Sequence, residues 1–129
     1  MSKITPSELG DRVASDGPKS NDDDIFVLDV RPEGNYRSRH IEGSYNAPVY
    51  HDLRGGDTDS LDDHLSEIPA DQTVVTVCKA GVVAKRATNH LESEGYDSVT
   101  LSGGMKGWRH YEDDTLVYRM ASFVRSLLP

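Results

Sequence analysis

Three short runs of apolar, largely β-branched residues constrain this chain more than anything else in it: IFVLDV at Ile25–Val30, VVTV at Val74–Val77 and SVTL at Ser98–Leu101. They are continuous rather than cleanly alternating, as expected of strands covered on both faces within a parallel sheet. Between them lie segments of helical character. Strands that alternate with helices predict an α/β domain with a central, mostly parallel sheet flanked by helices on both faces.

The connecting segments are readable in part. Thr5-Pro6-Ser7-Glu8 carries a hydroxyl N-cap, a proline at the first helical position and a glutamate three residues after the cap, so a short helix is predicted to about Ala14. Ser15–Asp24 is acidic and turn-rich, and reads as a loop. Pro32–Arg39 is polar and helix-compatible, His40–Tyr50 returns to short extended segments, and Asp52–Ser60 is a second acidic loop before a short helix near Leu61–Glu67. Ala84–Glu94 is a helix with Ala84, Ala87, Leu91 and His90 on its core side. Tyr118, Phe123, Val124 and Leu127 repeat at helical spacing, which predicts a C-terminal helix over 115–128 that packs on the domain or meets a partner. With neither repeat nor linker composition, residues 1–129 read as one domain.

Charge narrows the function. The formal net charge is −8, with 22 acidic residues against 14 lysines and arginines, and no dense basic block. Phosphates would meet a like-signed surface, so nucleic-acid binding is disfavoured. An ordinary acidic protein and one adapted to a high-salt cytoplasm fit this balance equally. The N-terminus turns polar at once, no apolar run reaches membrane length, and the single cysteine excludes an intrachain disulfide. These features predict a soluble cytoplasmic protein, and they leave its oligomeric state open.

That single cysteine, Cys78, directly follows VVTV. Ligands of open α/β sheets bind beyond the carboxyl ends of the strands, so Cys78 is expected at the functional rim. Lys79-Ala80-Gly81-Val82-Val83 must then turn the chain into the helix that begins near Ala84. Such a turn aims backbone N–H groups inward at the positive end of the helix dipole, which favours an anion at its centre. The anion would be the Cys78 thiolate, with Lys79 adding positive charge. The plainer alternative is a small buried residue at a strand end.

Other thiol chemistries lack their partners. A redox pair needs a second cysteine. No histidine stands in a context that marks it as a general base. A phosphatase needs an arginine at the end of the loop to clamp phosphate, where this chain has Val83 and Ala84. Metal-ligand spacing is missing too, so no metal is expected.

Two segments together resemble the single-domain rhodanese-like sulfurtransferases. DVRPEGNYRSRHIEGSYNAP, Asp29–Pro48, is similar to the motif in which an Asp-Val-Arg strand end is followed by an aromatic residue and Gly-His-Ile-x-Gly. CKAGVVAKRATNHLESEGYDSVTLSGGMKGW, Cys78–Trp108, is similar to the family's active-site loop, next helix, next strand and closing Gly-Gly-x-x-x-Trp. The resemblance covers roughly residues 5–108. It implies that Cys78 takes a sulfane sulfur from a donor such as thiosulfate or a protein persulfide, becomes a persulfide, and passes the sulfur to a thiol or cyanide, with no cofactor. One cysteine suffices for this. The resemblance also implies substrate contacts from Lys79, Ala80, Gly81, Val82, Val83 and Ala84, in a six-residue loop of the sulfur-handling length.

The chain departs from the motif at three places. Val83 replaces a common arginine, so a weakly cationic rim and slow thiosulfate turnover are expected. Arg39 stands where glycine commonly precedes the histidine, and Asn35 where glutamate commonly precedes the aromatic residue. Asp29 and Arg31 either contact substrate or pair to hold the strand-to-helix turn. His40 is expected to be structural, and Trp108 either walls the pocket or packs in the core. A sulfur carrier or docking module that turns over only with a partner is the alternative function.

Overall fold

A computed structural model describes residues 2–13 and 25–126. In chain order the elements are β1 (Lys3–Ile4), α1 (Pro6–Val13), β2 (Ile25–Asp29), α2 (Glu33–Ser38), β3 (Tyr45–Asn46), α3 (Tyr50–Arg54), α4 (Asp59–Asp62), a 3₁₀ turn (Leu65–Glu67), β4 (Thr73–Val77), α5 (Ala84–Ser93), β5 (Asp97–Leu101) and α6 (Gly104–Ser126). The five strands form one parallel sheet in the order β1-β5-β4-β2-β3. The central β4 pairs Val75 with Val27 of β2 and with Val99 of β5.

Alternation along β4 divides the core into two. Val74 faces Leu28, Leu53, Leu61, Ala87 and Leu91, so α3, α4 and α5 cover that side. Val75 and Val77 face Leu9, Leu101, Met105 and Trp108, so α1 and α6 cover the other. This double cover is why the strand sequences are continuous rather than half polar. One polar seam crosses the first layer. Thr76, Thr88 and Thr100, all buried, are linked through their hydroxyls at 2.7 Å each, and the Thr76 hydroxyl also lies 3.2 Å from the Ala84 carbonyl. The hydroxyls satisfy one another and tie α5 to β4 and β5 at little desolvation cost.

The structure departs from the sequence expectations in four places. Tyr50–Arg54 is helical, not part of an extended segment and an acidic loop, because Val49 and Leu53, four apart, both enter the core. The helix expected over Leu61–Glu67 is broken into α4 and the 3₁₀ turn, where His64 and Glu67 bond back to the carbonyls three residues earlier. In α5 the buried polar position is Thr88; His90 is only partly buried, with Nε2 2.6 Å from Asp62. The C-terminal helix is not an extension beginning at 115. It starts at Gly104 and runs on without a breaker, and the side chains of Tyr118, Phe123 and Val124, with residue Leu127, lie outside the described residues, as does the loop at 15–24.

The N-terminal cap is as the sequence predicts. The Glu8 N–H donates to Thr5 Oγ1 at 3.1 Å and the Thr5 N–H donates to Glu8 Oε1 at 2.9 Å. The Thr5 backbone N–H, and after it the Thr5 hydroxyl, hold the Glu8 carboxyl below its ordinary range. A depressed folded-state value stabilises above the unfolded one, about 4.3, and the gain is lost as pH falls through the lower folded value. Thr5→Ala should cost about 1 kcal/mol at neutral pH. The difference in urea midpoint between wild type and Glu8→Gln should be open at pH 7 and should close as pH falls through the lowered folded-state value.

Candidate active site

Cys78 is the first residue beyond β4 and is 1% exposed. The chain from Lys79 to Val83 wraps its sulfur, with the Gly81 N–H donating to Sγ at 3.1 Å and the Ala84 N–H, at the first turn of α5, donating at 3.3 Å. Two main-chain donors on one sulfur form a small anion cradle, with the positive end of α5 directly behind it. Gly81 has φ +90°, and a Cβ there would lie 3.1 Å from the Gly103 nitrogen.

What holds the loop is the start of α6. The Met105 and Lys106 N–H groups donate to the Cys78 and Lys79 carbonyls at 2.8 and 3.0 Å. The Cys78 and Lys79 carbonyls therefore face α6 while the Gly81 and Ala84 N–H groups face the sulfur, and the first orphan donors of α6 are satisfied in the same contact. Gly104 makes the approach possible. Its φ is +58°, and a Cβ would lie 2.7 Å from the Lys79 carbonyl carbon. The glycine pair thus does more than turn the chain.

Cys78 forms the floor of a cavity of about 440 Å³ whose walls include Tyr50, Arg54, Lys79, Ala80, Val82, Val83 and Arg86. The weakly cationic rim expected from Val83 is not what the fold builds. Arg54, from α3, and Arg86, in the first turn of α5, supply the charge that Val83 does not. Both escaped the sequence reading. Arg54 lies on a helix that it took for a loop, four residues after Tyr50, and that i, i+4 spacing was the available signal. Val82 stands 71% exposed at the mouth, while Val83 and Ala84 turn into the core.

The supporting residues separate. Asp29 and Arg31, at the end of the neighbouring β2, are both buried and pair bidentately, Nε to Oδ1 at 3.0 Å and Nη2 to Oδ2 at 2.8 Å. Arg31 also bonds the Arg39 carbonyl at 2.7 Å, and its backbone N–H bonds Asp29 Oδ1. This is the structural alternative, a fork that fixes the turn after β2, and the pair's solvation loss is offset by those further bonds. His40 does not join the site: it is exposed, stacks on Tyr36 with ring centroids 4.0 Å apart, and has Nδ1 2.8 Å from the Tyr36 carbonyl. Trp108 packs with Leu9, Val77 and Met105 on the sheet face opposite the Cys78 cluster, so it is a core residue and not a wall of this pocket. No helix among the described residues is long and apolar enough to cross a membrane.

Gly104→Ala should lose roughly 1–3 kcal/mol from its left-handed backbone alone and, by displacing Lys79, slow the reaction of Cys78 with a neutral disulfide reagent. Gly95→Ala supplies the control. Gly95 has φ +96° with nothing within 4 Å of a new Cβ, so it should pay only the backbone cost and leave the thiol's rate unchanged.

Comparison with known proteins agrees with this geometry. The Rhodanese-like domain family matches residues 5–111. A thiosulfate sulfurtransferase GlpE from Tolumonas auensis is 25% identical over 87 residues, which span 67% of this chain and 74% of that protein. A sulfurtransferase from Allochromatium vinosum is 24% identical over 86% of this chain and 91% of its own length. The crystal structure of a rhodanese-like domain protein from Staphylococcus aureus shares the fold, with a TM-score of 0.65 at 24% identity over 84% of this chain and 91% of that one.

Proposed function

Because the chain belongs to the rhodanese-like domain family, we propose that it is a sulfurtransferase whose Cys78 carries the travelling sulfur as a persulfide. The observation that carries this reading is the pair of main-chain N–H groups on Sγ, within a cavity that also holds Arg54, Lys79 and Arg86. With thiosulfate as donor, the Cys78 thiolate attacks the outer sulfur, the S–S bond of thiosulfate breaks, and sulfite leaves with the bonding pair. In the second step cyanide or a thiolate attacks the outer sulfur of the persulfide. The Cys78–sulfur bond breaks, and the thiolate is regenerated as thiocyanate or a new persulfide departs. Neither step needs a metal, a cofactor or an outside oxidant, so the chemistry is complete with one cysteine.

The chain's own residues divide this work. The Gly81 and Ala84 N–H groups stabilise negative charge on Sγ. Arg54, Lys79 and Arg86 offer charged donors to the sulfonate end of thiosulfate, which gives that donor a binding site despite Val83. A protein persulfide is a second donor for the same step. A lone free thiol that must return to its reduced form after each transfer fits a reducing cytoplasm.

One observation favours the partner-dependent variant of this function. Val82 offers a large exposed apolar side chain at the cavity mouth, where a docking protein would cover it. Such a carrier would load sulfur readily but turn over poorly alone.

Intact mass spectrometry separates these outcomes. After incubation with thiosulfate the wild type should gain the mass of one sulfur atom and lose it to cyanide, while Cys78→Ser should gain nothing. No adduct with thiosulfate or a persulfide donor would sink the proposal. In steady-state thiocyanate formation, Arg86→Gln and Arg54→Gln should each raise KM for thiosulfate roughly tenfold, as expected for loss of a charged hydrogen bond, with a smaller change in kcat.

A further inference from the structure

Beside the Cys78 cavity lies a second and larger cleft of about 590 Å³, and the two share Tyr50 and Lys79. Arg31, His51, Lys79, Lys106 and Arg109 line it, with Asn35 contributing an uncharged amide. The charge distribution is what makes it unusual. Arg31, Arg54, Lys79, Arg86, Lys106 and Arg109, six of the 14 basic residues in a chain of net charge −8, meet at these two adjoining clefts, and no aspartate or glutamate lines either. Arg31 is neutralised by Asp29, but among the described residues Lys79, Lys106 and Arg109 take part in no ion pair. They come from two segments that the fold has already fixed to one another, since the Lys106 N–H holds the Lys79 carbonyl. Apart from the shared Lys79, the proposed mechanism uses nothing of this second cleft.

We propose, building on the sulfurtransferase reading, that this cleft binds the carboxylates of a small acidic thiol that accepts the sulfur from Cys78. Its thiolate enters the Cys78 cavity past Tyr50 and Lys79 and attacks the outer sulfur of the persulfide. The Cys78–sulfur bond breaks, Cys78 leaves as the thiolate, and the acceptor departs as its own persulfide, so charge and atoms balance without any further reagent. Ammonium and guanidinium groups recognise carboxylates by charge-assisted hydrogen bonds. A small anion sees this local field, whereas an acidic macromolecule would also meet the surrounding carboxylates and be repelled. The cleft has the volume of an ordinary small-molecule site.

The test uses glutathione, which carries two carboxylates, and 2-mercaptoethanol, which carries none. Protein loaded with one sulfur, verified by mass, is mixed with either thiol at equal thiolate concentration, and loss of the sulfur is followed in a single turnover. Glutathione should discharge it about tenfold faster, the effect of two or three exposed charge pairs, and the advantage should shrink as potassium chloride is raised. The ratio of the two rates should fall toward one in the Lys106→Gln/Arg109→Gln double variant and in Asn35→Glu, all changes at exposed positions. Equal rates in the wild type, or an advantage that survives both variants, would overturn the assignment.

A second readout does not depend on sulfur chemistry. S-methylglutathione keeps the carboxylates but cannot accept sulfur, and titrated into unloaded protein it should shift the amide resonances of Tyr50, Lys106 and Arg109. Shifts without any loading of Cys78 would remove the sulfurtransferase reading and leave an anion site. Loading without shifts would remove the cleft assignment and leave the sulfurtransferase.

Discussion

The arrangement of the site depends on one contact, the seating of the start of α6 against the carbonyls of Cys78 and Lys79. A peptide group has a donor and an acceptor on opposite sides, so fixing where the carbonyls point also limits where the neighbouring N–H groups point. With the carbonyls held by α6, the Gly81 and Ala84 N–H groups are left for the sulfur. The contact is as close as it is because residue 104 has no side chain. A glycine 26 positions along the chain from the cysteine, beyond the end of a different strand, is therefore part of what makes the cysteine's environment polar on one side.

The sheet supplies the rigid base for that contact. β4 is covered on both faces and hydrogen-bonded on both edges, so its end, and Cys78 with it, has little freedom. The buried threonine seam adds a directional tie between β4, β5 and the first turns of α5, which carries the second donor to the sulfur. On the neighbouring strand, the Asp29–Arg31 fork fixes the turn that forms one wall of the larger cleft. Charge is then distributed against the average of the molecule: acids dominate the chain as a whole, while the two clefts at the strand ends are lined by bases. Small anions are drawn to such a local field even where the net charge is negative, because screening and distance weaken the rest.

Much of this was legible in the chain. The three apolar runs are β2, β4 and β5, since few other structures bury continuous β-branched segments bounded by charge. The Thr5–Glu8 cap, the strand-end position of Cys78 and the helix after it follow from local chemistry that needs no distant partner. The two-residue strands β1 and β3 were not distinguishable, because so short a segment is a strand only by virtue of what lies beside it. α3 was hidden for a related reason. Five residues carry too little periodicity to outweigh the neighbouring glycines and acids, and only the core that accepts Val49 and Leu53 makes them helical. Losing α3 meant losing Arg54, and with it the true charge of the rim.

The sequence by itself therefore determined the fold class, the strand-end cysteine and its loop, because strand patterning and turn chemistry act between residues close in the chain. Tertiary structure alone decided what surrounds that cysteine. The docking of α6 on the loop, the convergence of Arg54 and Arg86 on the cysteine, the placing of Trp108 in the opposite core and the gathering of unpaired bases beside Tyr50 all join residues far apart in sequence. Hydrogen-bond direction and electrostatics depend on distance in space, and no local pattern encodes which distant residues will share it.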